Sequence, residues 1–267
     1  MKKIFVSYGN EVYYNSLDRI KKEVEETGLF DEILIYTDKD LPEEVKNNIL
    51  YSYKRGGGYW LWKPWVVLQA LKHAQKGDII VYSDCGNTIF KHKAWRKYFQ
   101  KMKKYDALFF YNGGSLEKWT RNSVFEYFGK ELHKNFYQII SSFFVVTSNA
   151  RDFIQEWYDS MFFHPELVMD VSKERLELES PKFIEHRHDQ AVLSGVAYTY
   201  PDKDKIGILP EKSERLRSFG QPIYNSRISD DKRRSPEMPS PLYVIFITDY
   251  ILKPYRRIKT WILRYII

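Results

Sequence analysis

The chain reads as an α/β protein: one domain on a mainly parallel central sheet, followed by a basic, amphipathic helical tail. Three observations carry that reading. Short apolar runs alternate with longer segments of helical periodicity between residues 3 and 209, the pattern of parallel strands joined by crossover helices. The runs at Ile79–Tyr82 and Ile139–Val146 are apolar with little alternation, as strands covered on both faces must be. The last 27 residues repeat apolar side chains at helical spacing with cations opposite. A chain of 267 residues is long enough for one substantial core.

Lys3 to Tyr8 is the first strand. Glu11 to Thr27 follows as a helix with Val12, Leu17, Ile20 and Val24 on one face, ended by Gly28. A second strand, Glu32 to Tyr36, leads through Asp38-Lys39-Asp40-Leu41-Pro42 into a short helix. Residues 51–64 are loop-like, and Pro64 suits the opening of a helix from Trp65 to Gln75, because a first turn needs no N–H there. Gly77-Asp78 turns the chain into the strand that stops at Asp84. A basic helix (Lys93–Lys104), a strand (Ala107–Tyr111), a helix (Trp119–Phe128), the strand Ile139–Val146 and a helix (Ala150–Met161) come next. Phe162 to His186 is irregular, polar and longer than most connections, the kind of segment that forms lids and binding loops. A helix from His188 to Val196 and a strand from Ile206 to Leu209 complete a domain over residues 1–212; residues 213–240, rich in Arg, Ser and Pro, read as a linker or a segment draped over the body.

Charge is unevenly placed. Residues 232–267 hold eight basic and two acidic side chains of a chain whose net charge is +7, so the body is near neutrality. That argues against a nucleic-acid binder, whose surface is basic over a whole face. In the tail, Ile251, Leu252, Tyr255, Ile258, Ile262 and Tyr265 recur at helical spacing while Lys253, Arg257 and Arg264 project oppositely, and Pro254 marks the helix start or a kink. Leu242 to Ile247 is too short to span a bilayer, which takes about 20 residues. Residues 241–267 therefore read as a helix lying on an anionic membrane surface, with Trp261 and the tyrosines at headgroup depth. The alternatives are a helix docked on the body or a homodimer contact. The single cysteine, Cys85, makes no internal disulfide, and Met1-Lys2-Lys3 runs straight into the first strand, so the expected setting is cytoplasmic, at the inner membrane face.

Three clusters carry chemistry. Asp84 closes an apolar strand, where open α/β sheets bind ligands, and Gly86 after it allows close approach of a bulky group. Lys54-Arg55-Gly56-Gly57-Gly58-Tyr59-Trp60-Leu61-Trp62-Lys63-Pro64 joins a permissive backbone to cations and aromatic rings, a combination suited to an anion bearing a base, and Lys63 at a helix start would add its charge to the positive end of the dipole. Its glycines match neither the phosphate-loop nor the dinucleotide fingerprint. Glu185-His186-Arg187-His188-Asp189-Gln190 offers ligands, an acid or base, and an amide for sugar hydroxyls.

In this order the clusters resemble glycosyltransferases of the GT-A fold, a Rossmann-like single domain. More narrowly, they resemble bacterial enzymes of capsule and lipopolysaccharide synthesis that carry Gly-Tyr-Trp-x-Trp-Lys-Pro, Tyr-x-Asp-x-Gly and His-Asp-Gln, here residues 58–64, 82–86 and 188–190. The resemblance spans roughly residues 1–210. It implies a nucleotide-sugar donor, UDP-hexose foremost, and a lipid-linked or oligosaccharide acceptor in surface polysaccharide synthesis. It also implies Mn²⁺ or Mg²⁺ on the donor diphosphate, gripped at Asp84. Gly86 stands where the family has a second aspartate, so the remaining ligands are expected from Asn87 and His186, or from His188. Asp189 and Gln190 match the pair beside the donor sugar, Asp189 for a sugar hydroxyl or the acceptor proton and Gln190 for the anomeric carbon. Ser141 and Ser142 would line the same pocket; Tyr8, Tyr36 and Thr37 would face the base; Tyr59, Trp60, Trp62, Lys63, Tyr82, Ser83, Gly86 and His188 would complete the donor site. The rival readings are a nucleotide- or sugar-binding protein without turnover and, more remotely, an RNA-binding protein.

Overall fold

The chain's computed structural model describes residues 1–211, 213, 222–230, 243 and 246–265. Strand β1 (Lys3–Gly9) sends Ile4, Val6 and Tyr8 into one core and Phe5 into another, which is why its sequence is apolar on both sides of the pleat. Helix α1 (Tyr14–Thr27) ends at Gly28, whose φ of +64° closes a left-handed C-cap. Strand β2 (Glu32–Thr37) pairs parallel with β1. The short helical turns α2 (Glu43–Lys46) and α3 (Gly56–Tyr59) precede α4 (Trp62–His73). The expected start of α4 at Trp65 is thus three residues late. Pro64 sits inside the first turn, which tolerates it because the first four N–H groups of a helix have no intrahelical acceptor.

Strand β3 (Ile79–Ser83) is followed by β4 (Thr88–Ile89) and α5 (Ala94–Lys101). Strand β5 (Ala107–Ser115) runs four residues past its predicted end. The helix expected from Trp119 to Phe128 is divided into α6 (Leu116–Trp119) and α7 (Asn122–Phe128). The break falls at Thr120 and Arg121, where the Arg121 guanidinium donates to the Met169 carbonyl and its N–H to His186 Nδ1, pulling the chain toward the 162–186 loop. Strand β6 (Tyr137–Thr147), α8 (Arg151–Phe163), α9 (His188–Thr199) and β7 (Ile206–Pro210) follow. A two-residue strand β8 (Ile223–Tyr224) and α10 (Lys253–Tyr265) complete the described elements.

The main sheet has the order β2-β1-β3-β6-β5-β7, with β6 antiparallel to β3 and β5 and the other pairs parallel. The architecture is therefore α/β with a mostly parallel sheet, as predicted. One face packs under α4, α8 and α9 around Tyr82, Phe144 and Trp157; the other packs under α1 and α5 around Val81, Phe143 and Trp95. Because β6 runs backward, its first half lies beside the carboxyl ends of β1 and β3, and Asp84 N–H donates to the Ser142 carbonyl at 2.9 Å.

Of the segment read as a linker, residues 222–230 are fastened to the body: β8 pairs antiparallel with β4, and the Asp230 carboxylate accepts from the N–H groups of Asn15 and Ser16. Residues 212, 214–221 and 231–240 lie outside the described residues. Helix α10 docks with its polar side inward. Thr260 is buried against Tyr111, Arg264 donates to the carbonyls of Ile206 and Lys203, and Lys259 stands 5.2 Å over the Tyr137 ring. Tyr255, Ile258, Trp261 and Tyr265 are left exposed, between 45% and 64%. No helix among the described residues is long and apolar enough to cross a membrane.

Candidate functional site

Lys63 sits in the first turn of α4 with its side chain 2% exposed. Its three ammonium donors meet three acceptors from three other elements: Asp189 Oδ2 at the start of α9 (3.0 Å), Asp84 Oδ1 after β3 (3.2 Å) and Ser141 Oγ on β6 (3.1 Å). Ser141 Oγ donates in turn to Asp189 Oδ2 at 2.6 Å, and Tyr82 Oη donates to Asp84 Oδ1 at 2.6 Å. Burial alone would drive the proton off Lys63. The charges of Asp189 and then Asp84 outweigh it and hold the ammonium above a lysine's ordinary pKa. Burial, with Asp84 beside it, pushes the Tyr82 phenol well up, so it remains a donor. Lys63 therefore does not face a phosphate from the helix start, as predicted; it is sealed beneath the cleft as the link between two carboxylates.

Above it lies a cavity of about 750 Å³, within the size range of sites that bury small ligands. Residues 54–62 form one wall. Gly56, Gly57 and Gly58 have φ of +59°, +57° and +94°, and Tyr59 and Trp60 continue at +50° and +61°. Only glycine enters this region freely, so the glycine run permits the turn and the two aromatics are held in it by packing. Trp62 stacks on Tyr8 at 4.0 Å and donates from Nε1 to the Gly56 carbonyl; Trp60 stacks on His188 at 5.3 Å. Tyr59 Oη bonds Asp170, which also pairs with Arg55. Burial pushes the Cys85 thiol up, and Cys85 Sγ would lie 3.2 Å from a Cβ on Gly9, so it serves packing.

Most predicted site residues are brought together. Tyr8, Trp60, Trp62, Lys63, Asp84, Gly86, Asn87, Ser141, Ser142, His186, His188, Asp189 and Gln190 all border the cavity. Tyr59, Tyr82 and Ser83 are buried and bond or pack next to bordering residues. Tyr36 and Thr37 do not reach it: Tyr36 packs edge-on against Trp65 at 6.0 Å, and Thr37 caps the following turn through Asp40. Asn10, Asn112, Asn225 and Arg227 border the cavity without having been singled out. The one signal for the last two was the Ile223-Tyr224 pair inside an otherwise polar segment.

Of the expected metal ligands, both histidines are engaged by other partners. His186 Nε2 meets the Leu167 carbonyl at 2.8 Å and its Nδ1 accepts from Arg121 N–H; His188 Nδ1 meets the Val168 carbonyl at 2.7 Å and its Nε2 accepts from Arg55 Nε at 3.0 Å. Both rings thus have both nitrogens engaged and are held neutral, because burial lowers their pKa, that of His186 well below the ordinary value. Asn87 Nδ2 donates to Ser83 Oγ and to the Ser142 carbonyl, which leaves its Oδ1 out of both bonds. Asp84 Oδ1 is shared by Tyr82 and Lys63, so of the expected ligand atoms Asp84 Oδ2 and Asn87 Oδ1 take part in none of these contacts. Among the described residues no three His, Cys, Asp or Glu side chains are grouped to hold a metal ion.

Fold and cleft define an α/β protein with a cavity at the carboxyl ends of its parallel strands. No family model and no curated protein matches the chain. Among solved structures, the galactosyltransferase LgtC in complex with donor and acceptor sugar analogs aligns over 77% of this chain and 73% of its own at 12% identity and a TM-score of 0.42. A glycosyltransferase involved in glycosylation of the major capsid of PBCV-1 aligns over 70% and 82% at 9% and 0.38. The 4-diphosphocytidyl-2C-methyl-D-erythritol synthase of Anaerococcus prevotii aligns over 94% and 96% at 11% and 0.40. At this distance these likenesses assign no activity, and the functional reading rests on the cleft.

Two outcomes are expected. Lys63→Met leaves two carboxylates together without their cation and lowers stability in urea unfolding by about 3–5 kcal/mol, the loss typical of a broken buried pair; adding Asp189→Asn recovers part of it. The histidines bind protons more readily unfolded than folded, so their contribution is full above the ordinary histidine pKa of about 6.5 and is lost as pH falls below it. Unfolding free energy measured from pH 8 to 5 falls with a slope of up to about 1.4 kcal/mol per pH unit for each histidine, and His186→Gln flattens it.

Proposed function

We propose that this protein is a glycosyltransferase of the GT-A type that moves a sugar, with UDP-hexose the first donor to test, to a lipid-linked or oligosaccharide acceptor in surface polysaccharide synthesis. The observation that carries the reading is convergence: three motifs spread over residues 58–190 border one cavity, and Lys63 of the first motif bonds the acidic residue of each of the other two. Stacked Tyr8 and Trp62 form an aromatic wall for the base. Asp189, held by Lys63 and Ser141, is suited to a sugar hydroxyl, and Gln190, the third residue of α9, to the anomeric carbon. In transfer, the bond from C1 to the diphosphate oxygen breaks with its electron pair on the leaving group, and the acceptor oxygen bonds C1 as it gives up its proton.

The tail supports a place at an anionic bilayer. On α10, Tyr255, Ile258, Trp261, Ile262 and Tyr265 form one exposed apolar arc, and Arg257 and Lys259 stand beside it, the arrangement of an interfacial helix.

Incubation with a panel of nucleotide sugars gives turnover or donor hydrolysis, and Asp84→Ala reduces it by at least about 100-fold, as loss of a key electrostatic group does. Tight binding with no turnover on any donor or acceptor favours the binding-protein reading. On vesicles, the chain floats with phosphatidylglycerol bilayers and not with phosphatidylcholine alone, and Ile258→Asp with Trp261→Asp abolishes flotation while leaving donor hydrolysis in solution unchanged.

A further inference from the structure

Gly86 occupies the place where a second acidic ligand is expected, and the fold crowds any side chain there. Residues 222–230 cross directly over it. Ile228 N–H and Ser226 Oγ both donate to the Gly86 carbonyl, at 3.0 and 2.9 Å, and Ser226 Oγ is also 2.7 Å from Thr88 Oγ1. A Cβ on Gly86 would stand 3.1 Å from the Ile228 carbonyl oxygen and 3.5 Å from Arg227 Cα. The strap is fixed on either side of this crossing, by β8 on β4 and by Asp230 at the start of α1, so its position is set by the fold. What it delivers is Arg227, exposed, bordering the cavity next to Gly86 and Asp84, with φ at +54°. Arginine enters that backbone region only at a cost, and such residues cluster at ligand sites. Among the described residues the non-glycine positions with positive φ are Tyr59, Trp60, His188 and Arg227; the last three border the cavity and Tyr59 adjoins them.

We propose that Arg227, carried over Gly86 by the 222–230 strap, binds the donor diphosphate in place of a divalent cation, while Lys63 offsets the charge of Asp84 and Asp189 beneath it. The proposal rests on the nucleotide-donor reading. A guanidinium presents a planar fork of donors that matches phosphate oxygens, and it needs no further ligand set. This accounts for three features at once: the crowded position at Gly86, the engaged ring nitrogens of His186 and His188, and a strained arginine at the cleft.

The test is titration calorimetry of the full chain with uridine, cytidine, guanosine and adenosine diphosphates, in EDTA and in Mn²⁺. The expected result is one preferred nucleotide whose Kd agrees within about threefold between the two conditions, because binding draws on charge-assisted hydrogen bonds from the protein. Arg227→Gly weakens that binding by about 10- to 100-fold, the effect of losing hydrogen bonds to a charged group, and its melting temperature is no lower than that of the unsubstituted chain, since glycine accepts the positive φ without strain. Arg227→Lys recovers part of the affinity. Binding seen only with Mn²⁺, or unchanged in Arg227→Gly, overturns the proposal, and so does lost binding accompanied by a lower melting temperature, which makes Arg227 structural. Absence of binding by every nucleoside diphosphate in both conditions sinks instead the donor reading beneath it.

Discussion

One buried ammonium holds the cleft together. Lys63 comes from the first turn of α4, Asp84 from the end of β3, Ser141 from the reversed strand β6 and Asp189 from the start of α9, and each is bound to at least one of the others within 3.2 Å. A buried ion pair adds little net stability compared with well-packed apolar residues, because desolvation offsets much of its attraction. Its value here is register: two helices on the same face of the sheet are locked to the strand ends at the point where the ligand cavity opens. The cluster has one cation for two carboxylates, so its own charge repels an anion. Any anionic ligand in this cavity depends on positive charge brought from outside the cluster, and the bordering cations Lys54, Arg55, Arg187 and Arg227 are the groups placed to supply it.

Backbone strain follows the same geography. The turn at residues 56–60, the first residue of α9 and the crown of the strap are the left-handed non-helical points around the cavity, and each is held in place: Trp60 by stacking on His188, His188 by Val168 and Arg55, the strap by hydrogen bonds to the Gly86 carbonyl. The aromatic pairs serve both purposes. The same rings that fix an unfavourable backbone conformation form the wall on which a base can stack. A glycine-rich, aromatic-rich segment is therefore not a mobile loop here but a packed one, with Tyr59 and Trp62 under 10% exposed.

This explains what the sequence made legible. The sheet was readable because both faces are covered and β1, β3 and β6 are mostly apolar; Asp84, Asp189 and Gln190 were readable because they stand at strand and helix ends, where α/β chemistry is placed. The fate of Lys63 was not readable, since a lysine beside a helix start looks the same whether its ammonium meets solvent, phosphate or two carboxylates 21 and 126 residues away. Nor were His186 and His188, whose nitrogens are engaged by carbonyls of the loop at 167–168 and by arginines at 55 and 121, partners that no local pattern announces. The strap was hidden for a different reason: two apolar residues in a polar segment are too few to show periodicity, yet they pair with another two-residue strand and carry Arg227 to the cleft.

The tail links the cleft to its surroundings. An amphipathic helix on a soluble domain ordinarily buries its apolar stripe, and α10 does the reverse: its cations and Thr260 are satisfied by backbone carbonyls and tyrosine rings at the β5–β7 side of the sheet, so the apolar arc is free to face outward. The dock runs along the β5–β7 side from the cleft end to the opposite end: Arg256 lies against Gly113, the residue after cavity-bordering Asn112, Lys259 covers Tyr137 at the beginning of β6, and Arg264 bonds the carbonyl of Ile206, where β7 begins beside Ala107. The first turns of α10 thus lie at the cleft end of the sheet and its last turn at the opposite end, and the exposed arc from Tyr255 to Tyr265 spans the length between them.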